Sequence, residues 1–374
     1  MDLSPQEKQF YQKHLLLPQV GDEGQLRLKA ARVLVVGAGG LGAPCSLYLA
    51  AAGVGTLGIL DHDTVDISNL HRQILYQYAD VGQRKADLAA VRLRALNPFI
   101  EVRALDARLE ACNAESIFSE YDLIIDCSDN FPTRYLINDA CVLLKKTFVH
   151  GAVFQFEGQV SIFSPTEGRP CYRCLFPEPP PRELAPNCAE TGVLGVLPAT
   201  VGSLQATEAI KWLAKIGEPA VGRLITYDAL KLRFGSLRVG SDDSCVICSP
   251  LATRSDLSHH AEKPHERHFL EVTVSELQAL REREPALSII DIRESYEQTE
   301  MLPGAYLSPQ RTFVEHVEDF AEKSDQIILY CQSGRRSLRL AETLNAQGLS
   351  QFKSLMGGIN AWKSESQPLL PTIK

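Results

Sequence analysis

The stretch Arg32 to Asp61, RVLVVGAGGLGAPCSLYLAAAGVGTLGILD, constrains the chain more than any other. An apolar run from Val33 to Val36 ends in Gly37-Ala38-Gly39-Gly40-Leu41-Gly42, a segment of small residues follows, and a second apolar run, Thr56 to Leu60, stops at Asp61. This order predicts a strand, a turn, a helix and a strand. Glycines at 37, 39 and 42 permit a tight turn and let phosphates approach backbone N–H groups at a helix N-terminus, and Asp61 stands where a carboxylate can take ribose hydroxyls. The stretch reads as a nucleotide site.

The chain has 374 residues, 45% of them hydrophobic, which is room and apolar content for two domains. Its net charge of −8 comes without a basic stripe, which argues against nucleic acid as a partner. No apolar run approaches membrane-spanning length and the first residues lack a secretory core, so a cytoplasmic protein without membrane contact is expected. Ten cysteines in such an enzyme read as metal ligands and reactive thiols rather than disulfides.

Residues 4–29 look helical. After Asp61, the segment Asp63 to Gln73 is too rich in hydrogen-bonding groups to be core, and one helical turn would put Asn69 and Arg72 on a common face. Arg72 offers a bidentate fork for phosphate and Lys85 a point charge, although each taken singly is more often a solvated charge. Further strands are expected at Phe99 to Leu105, Asp122 to Cys127, Thr147 to Gly151 and Gly158 to Ser164. Asp129, just past a strand end, is placed either to hold Mg²⁺ on a nucleotide or to cap the helix Thr133 to Lys145. The metal role is preferred because Asn130 can cap alone.

Cys171-Tyr172-Arg173-Cys174 is answered by Cys245-Val246-Ile247-Cys248, two C-x₂-C pairs that give the four thiolates of a closed structural zinc site. Between them, Phe176 to Pro186 holds five prolines in eleven residues, which forbids regular structure. Cys188 follows, either a working thiol or a small apolar filler. Residues 249–268, with four histidines and two prolines, read as a linker whose histidines lack a scaffold for metal. From Phe269 an α/β pattern resumes, with a helix at Val274 to Arg281, a strand at Ser288 to Ile292, and a strand at Ile327 to Tyr330 that delivers Cys331. The loop Cys331-Gln332-Ser333-Gly334-Arg335-Arg336-Ser337 then precedes a helix, Leu338 to Ala346. Backbone N–H groups and a helix N-terminus aimed at one sulfur favour a thiolate and could hold a persulfide. Arg336 makes this loop one residue shorter than the C-x₅-R of cysteine phosphatases, which suits sulfur better than phosphate.

Assembled, GAGGLG, LDxDxVDxSNLxRQ, VGxxKA, DCSDN, CYRC, NCAETGVLGVLP, GSLQATEAIK and CVIC make residues 1–248 resemble the ThiF family, relatives of ubiquitin-activating enzymes. The resemblance implies a Rossmann-like α/β adenylation domain that binds ATP with Mg²⁺. It assigns Gly40, Asp61, Ser68, Asn69, Leu70, His71, Arg72, Lys85, Asp129 and Asn130 to ATP or its metal, and the four paired cysteines to Zn²⁺. It also implies a homodimer. Lys13 stands where the family usually has an arginine that reaches the partner subunit's ATP.

Residues 269–374 resemble a small α/β rhodanese domain through DIRESYE, Pro303-Gly304-Ala305, the Cys331 loop and Met356 to Trp362, with Met301-Leu302 where a histidine usually precedes the turn. Together the resemblances imply that a ubiquitin-like sulfur carrier ending in Gly-Gly is adenylated, with Arg72, Lys85 and Asp129 serving the phosphates. A Cys331 persulfide, loaded from thiosulfate or a cysteine desulfurase, then converts it to a thiocarboxylate, with Cys188 as the second thiol. The alternatives are carrier activation through a Cys188 thioester, a catalytically silent adaptor, and an NAD oxidoreductase built on the same glycine turn. The pathway stays open among molybdenum cofactor, thiamine, thiolated siderophore and tRNA thiolation.

Overall fold

A computed structural model describes residues 2–165, 170–180, 192–260, 268–284, 287–298, 300–321, 324, 326–365 and 368–371. Cys188 and most of the proline-rich segment lie outside the described residues. The chain divides into two compact units, 1–261 and 262–374.

The first unit is built on β1 (Arg32–Val36), β2 (Thr56–Leu60), β3 (Glu101–Leu105), β4 (Leu123–Asp126), β5 (Thr147–Phe154), β6 (Glu157–Phe163), β7 (Arg223–Asp228) and β8 (Arg233–Arg238). They form one sheet in the order β3-β2-β1-β4-β5-β6-β7-β8. The first five strands in that order run parallel, with Val35 opposite both Ile59 and Ile125, and the other three join antiparallel. Helices cover both faces of the parallel half, so β1 and β4 are buried along almost their whole length, as their unbroken apolar runs require. The strand order reverses between β1 and β4, which opens a crevice at their carboxyl ends.

Close packing there depends on missing side chains. A Cβ on Gly42 would lie 1.8 Å from the Gly37 carbonyl oxygen, and one on Gly202, in the helix Val196–Ala214, 2.3 Å from that of Leu41. The N-terminal region is helical as expected, but in three pieces, Pro5–Phe10, Gln12–Leu15 and Gly21–Ala30. Gly21 takes the left-handed conformation at the last break.

The stretch expected to be a linker departs from that reading over 249–260. Leu257 packs on a core cluster of the first unit, and the 3₁₀ turn Ser258–His260 brings both imidazoles onto buried Asp139. Polar composition concealed this because its anchor is a hydrogen-bonded charge cluster rather than an apolar stripe.

The second unit has β9 (Glu271–Val272), β10 (Ser288–Asp291), β11 (Glu300–Met301), β12 (Ala305–Leu307), β13 (Ile327–Tyr330), β14 (Phe352–Leu355) and β15 (Leu370–Pro371). Five strands make a parallel sheet, β12-β10-β13-β14-β9, and β11 pairs with β15. β13 is central and ends at Tyr330, so Cys331 follows it directly.

Candidate functional site

In the first unit the glycine turn is held from three sides. Gly37 sits at φ +94°, and a Cβ there would come within 2.7 Å of the Cys127 carbonyl oxygen, so this turn lies against the end of β4. The Ala38 N–H donates to Asp61 Oδ2 at 2.7 Å and the Asp63 N–H to Oδ1 at 2.8 Å. Tyr76, which no motif singles out, donates its hydroxyl to the Ala38 carbonyl at 2.9 Å and lies 3.3 Å from that of Lys85. Burial pushes the Asp61 carboxyl above its ordinary value, against the pull of Lys85 and the two N–H groups.

Lys85 starts the helix Lys85–Leu96, is buried, and reaches exposed Asp63 Oδ2 at 2.9 Å. Arg72 is oriented by an amide and a carbonyl oxygen: Nη2 donates to Asn69 Oδ1 at 2.7 Å and Nη1 to the Ser68 carbonyl at 3.0 Å, with His71 Nε2 3.0 Å from Nη1. A Cβ on Gly40 would lie 3.6 Å from Arg72 Cγ, which puts the stem of this arginine over the turn. Gln73 adds a bond to Asn69 at 3.2 Å. The structure thus gathers Gly40, Asp61, Asn69, Arg72 and Lys85 around one turn, while Ser68 and His71 are exposed beside it and Leu70 is half-buried. Asn130 caps the helix Phe131–Leu143 by accepting from the Thr133 N–H at 2.9 Å. Asp129 is therefore not needed as the cap; it is exposed, with the Asn130 amide 3.5 Å away.

Beneath Asp129 lies a buried charge network that sequence reasoning missed. Asp126 takes a bond from His150 Nδ1 at 2.9 Å and from the Ser128 hydroxyl at 2.6 Å, with Arg134 Nε at 3.8 Å. Burial alone would raise Asp126, but His150, Arg134 and Ser128 together hold it below its ordinary value. Gln205 donates to the Asp126 carbonyl at 2.7 Å and so ties the end of β4 to the helix Val196–Ala214. The residues are separated by up to 79 positions in sequence, so the motifs that contain Asp126 and Gln205 do not announce that they meet.

The paired cysteines converge. Cys171 Sγ lies 3.9 Å from Cys174 and 3.7 Å from Cys245, Cys174 lies 3.4 Å from Cys248, and all four sulfurs fall within 4.8 Å of one another. A tetrahedron with Zn–S bonds of about 2.3 Å spaces its sulfurs about 3.8 Å apart, so the four residues fit zinc. Arg173, inside the first pair, makes a two-pronged ion pair with Asp139 at 2.7 and 2.8 Å. Asp139 Oδ2 also meets His259 at 2.8 Å and His260 at 2.7 Å. Burial would raise Asp139, yet His260, Arg173 and His259 hold it far below the usual carboxylate range. Although these groups could present ligand atoms, the Arg173 guanidinium already engages both oxygens, and its charge opposes a cation there.

In the second unit Cys331 is only 1% exposed at the end of β13. The Ser337 hydroxyl lies 3.7 Å from its sulfur, 3.0 Å from the Gly334 carbonyl and 2.8 Å from the Ser354 hydroxyl. The helix Arg335–Ala346 begins inside the loop, three residues earlier than expected, because Gly334 at φ +80° turns the chain directly into it. Gly358 is the counterpart: a Cβ there would lie 2.3 Å from the Cys331 carbonyl, which instead accepts the Ile359 N–H at 3.0 Å. Gln332 bonds Asn360 at 2.7 Å, Ser333 and Arg335 are exposed, and Arg336 makes two bonds to Glu297, at 2.8 and 2.7 Å.

The ThiF family profile matches residues 11–247 and the rhodanese-like domain profile residues 273–365. A sulfur carrier protein adenylyltransferase of Thermus thermophilus is 54% identical over 69% of this chain and 96% of its own length. A probable adenylyltransferase/sulfurtransferase, MoeZ of Mycobacterium tuberculosis, is 43% identical over 98% of this chain and 95% of its own. The crystal structure of E. coli MccB with MccA-N7isoASN shares the fold, at TM-score 0.58 and 21% identity over 66% of this chain and 75% of that one. Adenylyltransferase kinship makes ATP the nucleotide and sets aside both the NAD oxidoreductase and the silent adaptor. With kinship running through both units and almost end to end, the chain belongs to the ThiF family, carries a rhodanese-like domain, and is an adenylyltransferase and sulfurtransferase.

Proposed function

We propose that this protein adenylates the C-terminal glycine of a ubiquitin-like sulfur carrier and converts it to a thiocarboxylate with sulfur held on Cys331. The observation that carries the reading is the presence, in one chain, of a glycine turn flanked by Lys85 and Arg72 and of a strand-end cysteine in a tight glycine-bounded loop. A glycine carboxylate is nucleophilic at neutral pH, so no base is required. It attacks the ATP α-phosphorus, the α–β phosphoanhydride breaks, and pyrophosphate leaves while Arg72 and Lys85 stabilise the charge that develops. Mg²⁺ held by Asp129 would neutralise phosphate charge, and Zn²⁺ on Cys171, Cys174, Cys245 and Cys248 would staple the turn to the closing segment.

The terminal sulfur of a Cys331 persulfide then attacks the acyl carbon, a C–S bond forms, the mixed anhydride C–O bond breaks, and AMP departs. A thiolate, which we assign to Cys188, attacks the Cys331 sulfur, forms a disulfide and releases the carrier thiocarboxylate. A protein substrate suits the exposed apolar edge formed by Phe234 and Leu237 of β8 with Leu230 and Leu232 before it. Lys13 is exposed in the short helix Gln12–Leu15, next to Tyr11, whose ring abuts Gly53 at the far end of the helix Gly42–Ala52. That helix has eleven residues and is about 16 Å long, so Lys13 suits the ATP of a second copy rather than its own. We place the homodimeric enzyme in the cytoplasm; among the described residues no helix is long and apolar enough to cross a membrane.

The test is carrier-dependent ATP–pyrophosphate exchange with Gly-Gly-ending carriers, followed by intact carrier mass with a sulfur donor present. Exchange and replacement of one oxygen by sulfur are expected. Exchange without sulfur gain, or a Cys188-linked carrier thioester in its place, would overturn the thiocarboxylate reading.

A further inference from the structure

Two arginines at the Cys331 loop, Arg293 and Arg336, do not offer their charge to a ligand. Arg293 forms a two-pronged pair with Asp291, Nε to Oδ1 at 3.0 Å and Nη2 to Oδ2 at 2.7 Å, and only its Nη1 turns to the loop, at Gln332 Oε1, 3.1 Å away. Arg336, the last residue of the loop before Ser337, is clamped by both oxygens of Glu297. Glu297 itself is set by a short 3₁₀ turn, where its carboxylate also accepts the Glu294 N–H at 2.9 Å. The Arg336–Glu297 pair is about three-quarters buried on both sides, which limits screening by salt. The Glu297 carboxylate raises the Arg336 pKa most, and the Cys331 sulfur lies close enough to push it the same way. The third arginine, Arg335, is exposed.

We infer that Glu297 sets the sulfur-donor specificity of the Cys331 loop by cancelling the charge of Arg336, so that the loop discriminates against dianionic donors and favours persulfides of lower charge. The inference rests on the proposed persulfide chemistry. Both transfers start with the Cys331 thiolate attacking a sulfane sulfur. From thiosulfate an S–S bond forms to Cys331, the S–S bond to the sulfonate sulfur breaks, and sulfite leaves with the electron pair. From an alkyl persulfide the terminal sulfur passes to Cys331 and the alkyl thiolate leaves. A donor with two negative charges needs an unbalanced cation beside the sulfur; Arg336 would supply it, but Glu297 takes it up. Glu297 acts through Arg336 and is a specificity-determining residue rather than a catalytic one.

The test uses the full chain and Glu297→Gln, which keeps the size and a hydrogen-bond acceptor for Arg336 while removing the charge. Sulfur loading of Cys331 is followed by intact mass with thiosulfate and, separately, with the persulfide of 2-mercaptoethanol. Because the Coulomb energy scales with ligand charge, a gain of about threefold in kcat/KM for the monoanion corresponds to about ninefold for the dianion. The thiosulfate rate of the variant should also fall more steeply with ionic strength than that of the wild type. Equal changes with both donors, in either direction, or unchanged salt slopes, would assign Glu297 a merely structural role and overturn the inference. If wild-type Cys331 takes sulfur from neither donor, the persulfide reading itself fails. A threefold shift in donor preference with Cys331 loading intact upholds both.

Discussion

The Asp139→Asn substitution should loosen the first unit at the cysteine cluster. Asp139 is fully buried, Arg173 is 3% exposed, and they share two hydrogen bonds. The variant leaves the buried guanidinium with only exposed Glu178, 4.0 Å away, as counter-charge, a loss of about 3–5 kcal/mol. It also weakens the contacts that hold His259 and His260. Since about 1.4 kcal/mol is a factor of ten, local opening should become more frequent by about two to three and a half orders of magnitude. Hydrogen exchange read by mass spectrometry on peptides of the helix Phe131–Leu143 and the turn Tyr172–Leu175 reports this directly. Protection within about threefold of wild type would refute the reasoning, because it would mean that solvent or another group already compensates Arg173. The effect should also vanish in acid. The folded Asp139 carboxyl lies far below its ordinary value while the unfolded one titrates near pH 4, so over that window the unfolded chain binds the extra proton. The contribution of the pair is complete above about pH 4 and is lost as pH falls through the folded pKa. Urea unfolding of wild type and variant should therefore converge as pH drops below 4.

Lys85→Met should cut carrier-dependent pyrophosphate exchange by about 10²-fold or more, because an amine aimed at phosphates acts on charge that develops in the transition state; an equal rate would remove Lys85 from the site. Cys331→Ser should leave exchange intact and abolish thiocarboxylate, as intact carrier mass would tell; retained sulfur gain would move the persulfide elsewhere. Lys13→Ala and Lys85→Met should each be weak alone, while mixing them should restore exchange, since a mixed dimer owns one site with both groups intact; full activity of Lys13→Ala alone would place Lys13 outside the chemistry, and loss without recovery would place it in its own protomer's site. Tyr76→Phe deprives the buried Ala38 carbonyl of its donor and should raise the KM for ATP by about tenfold, the effect of roughly 1–2 kcal/mol, without altering sulfur loading of Cys331.

What the sequence disclosed and what it withheld follow from how each group is positioned. The strand, turn and helix of Arg32 to Asp61 were legible because three glycines and an acid have fixed offsets imposed by local backbone geometry, and the cysteine pairs because each C-x₂-C brackets one turn. The Cys331 loop was legible for the same reason. Tyr76, His150 and Arg134 were not, because each is placed by tertiary contacts between distant elements; Asp126 and Gln205 fall inside the DCSDN and GSLQATEAIK motifs, but neither motif reveals that the two meet each other. His259 and His260 were visible as residues and misread in context: a polar, proline-containing segment looks like a linker until the buried carboxylate that both histidines meet is in view. The helix starting at Arg335 was placed late because a glycine at positive φ can end a turn and open a helix in one step, which propensity alone does not encode.

The same residue type is put to opposite uses in the two units, and the difference lies in its partners. Arg72 is held by Asn69, the Ser68 carbonyl and His71, groups that fix its fork while leaving its full positive charge to be met by a ligand. That is the arrangement a polyphosphate calls for, since the charge has to be stabilised as it forms. Arg336 and Arg293 are held by carboxylates, which fix their forks equally well but cancel the charge before any ligand arrives. Beside Cys331 the negative charge to be held is a single one, on a thiolate or its persulfide, and Ser337 and the start of the helix at Arg335 already face it. An uncancelled arginine there would serve competing oxyanions more than sulfur. Amide and carbonyl partners for Arg72, and carboxylate partners for Arg293 and Arg336, are thus what separates an arginine kept for phosphate from arginines withheld beside sulfur.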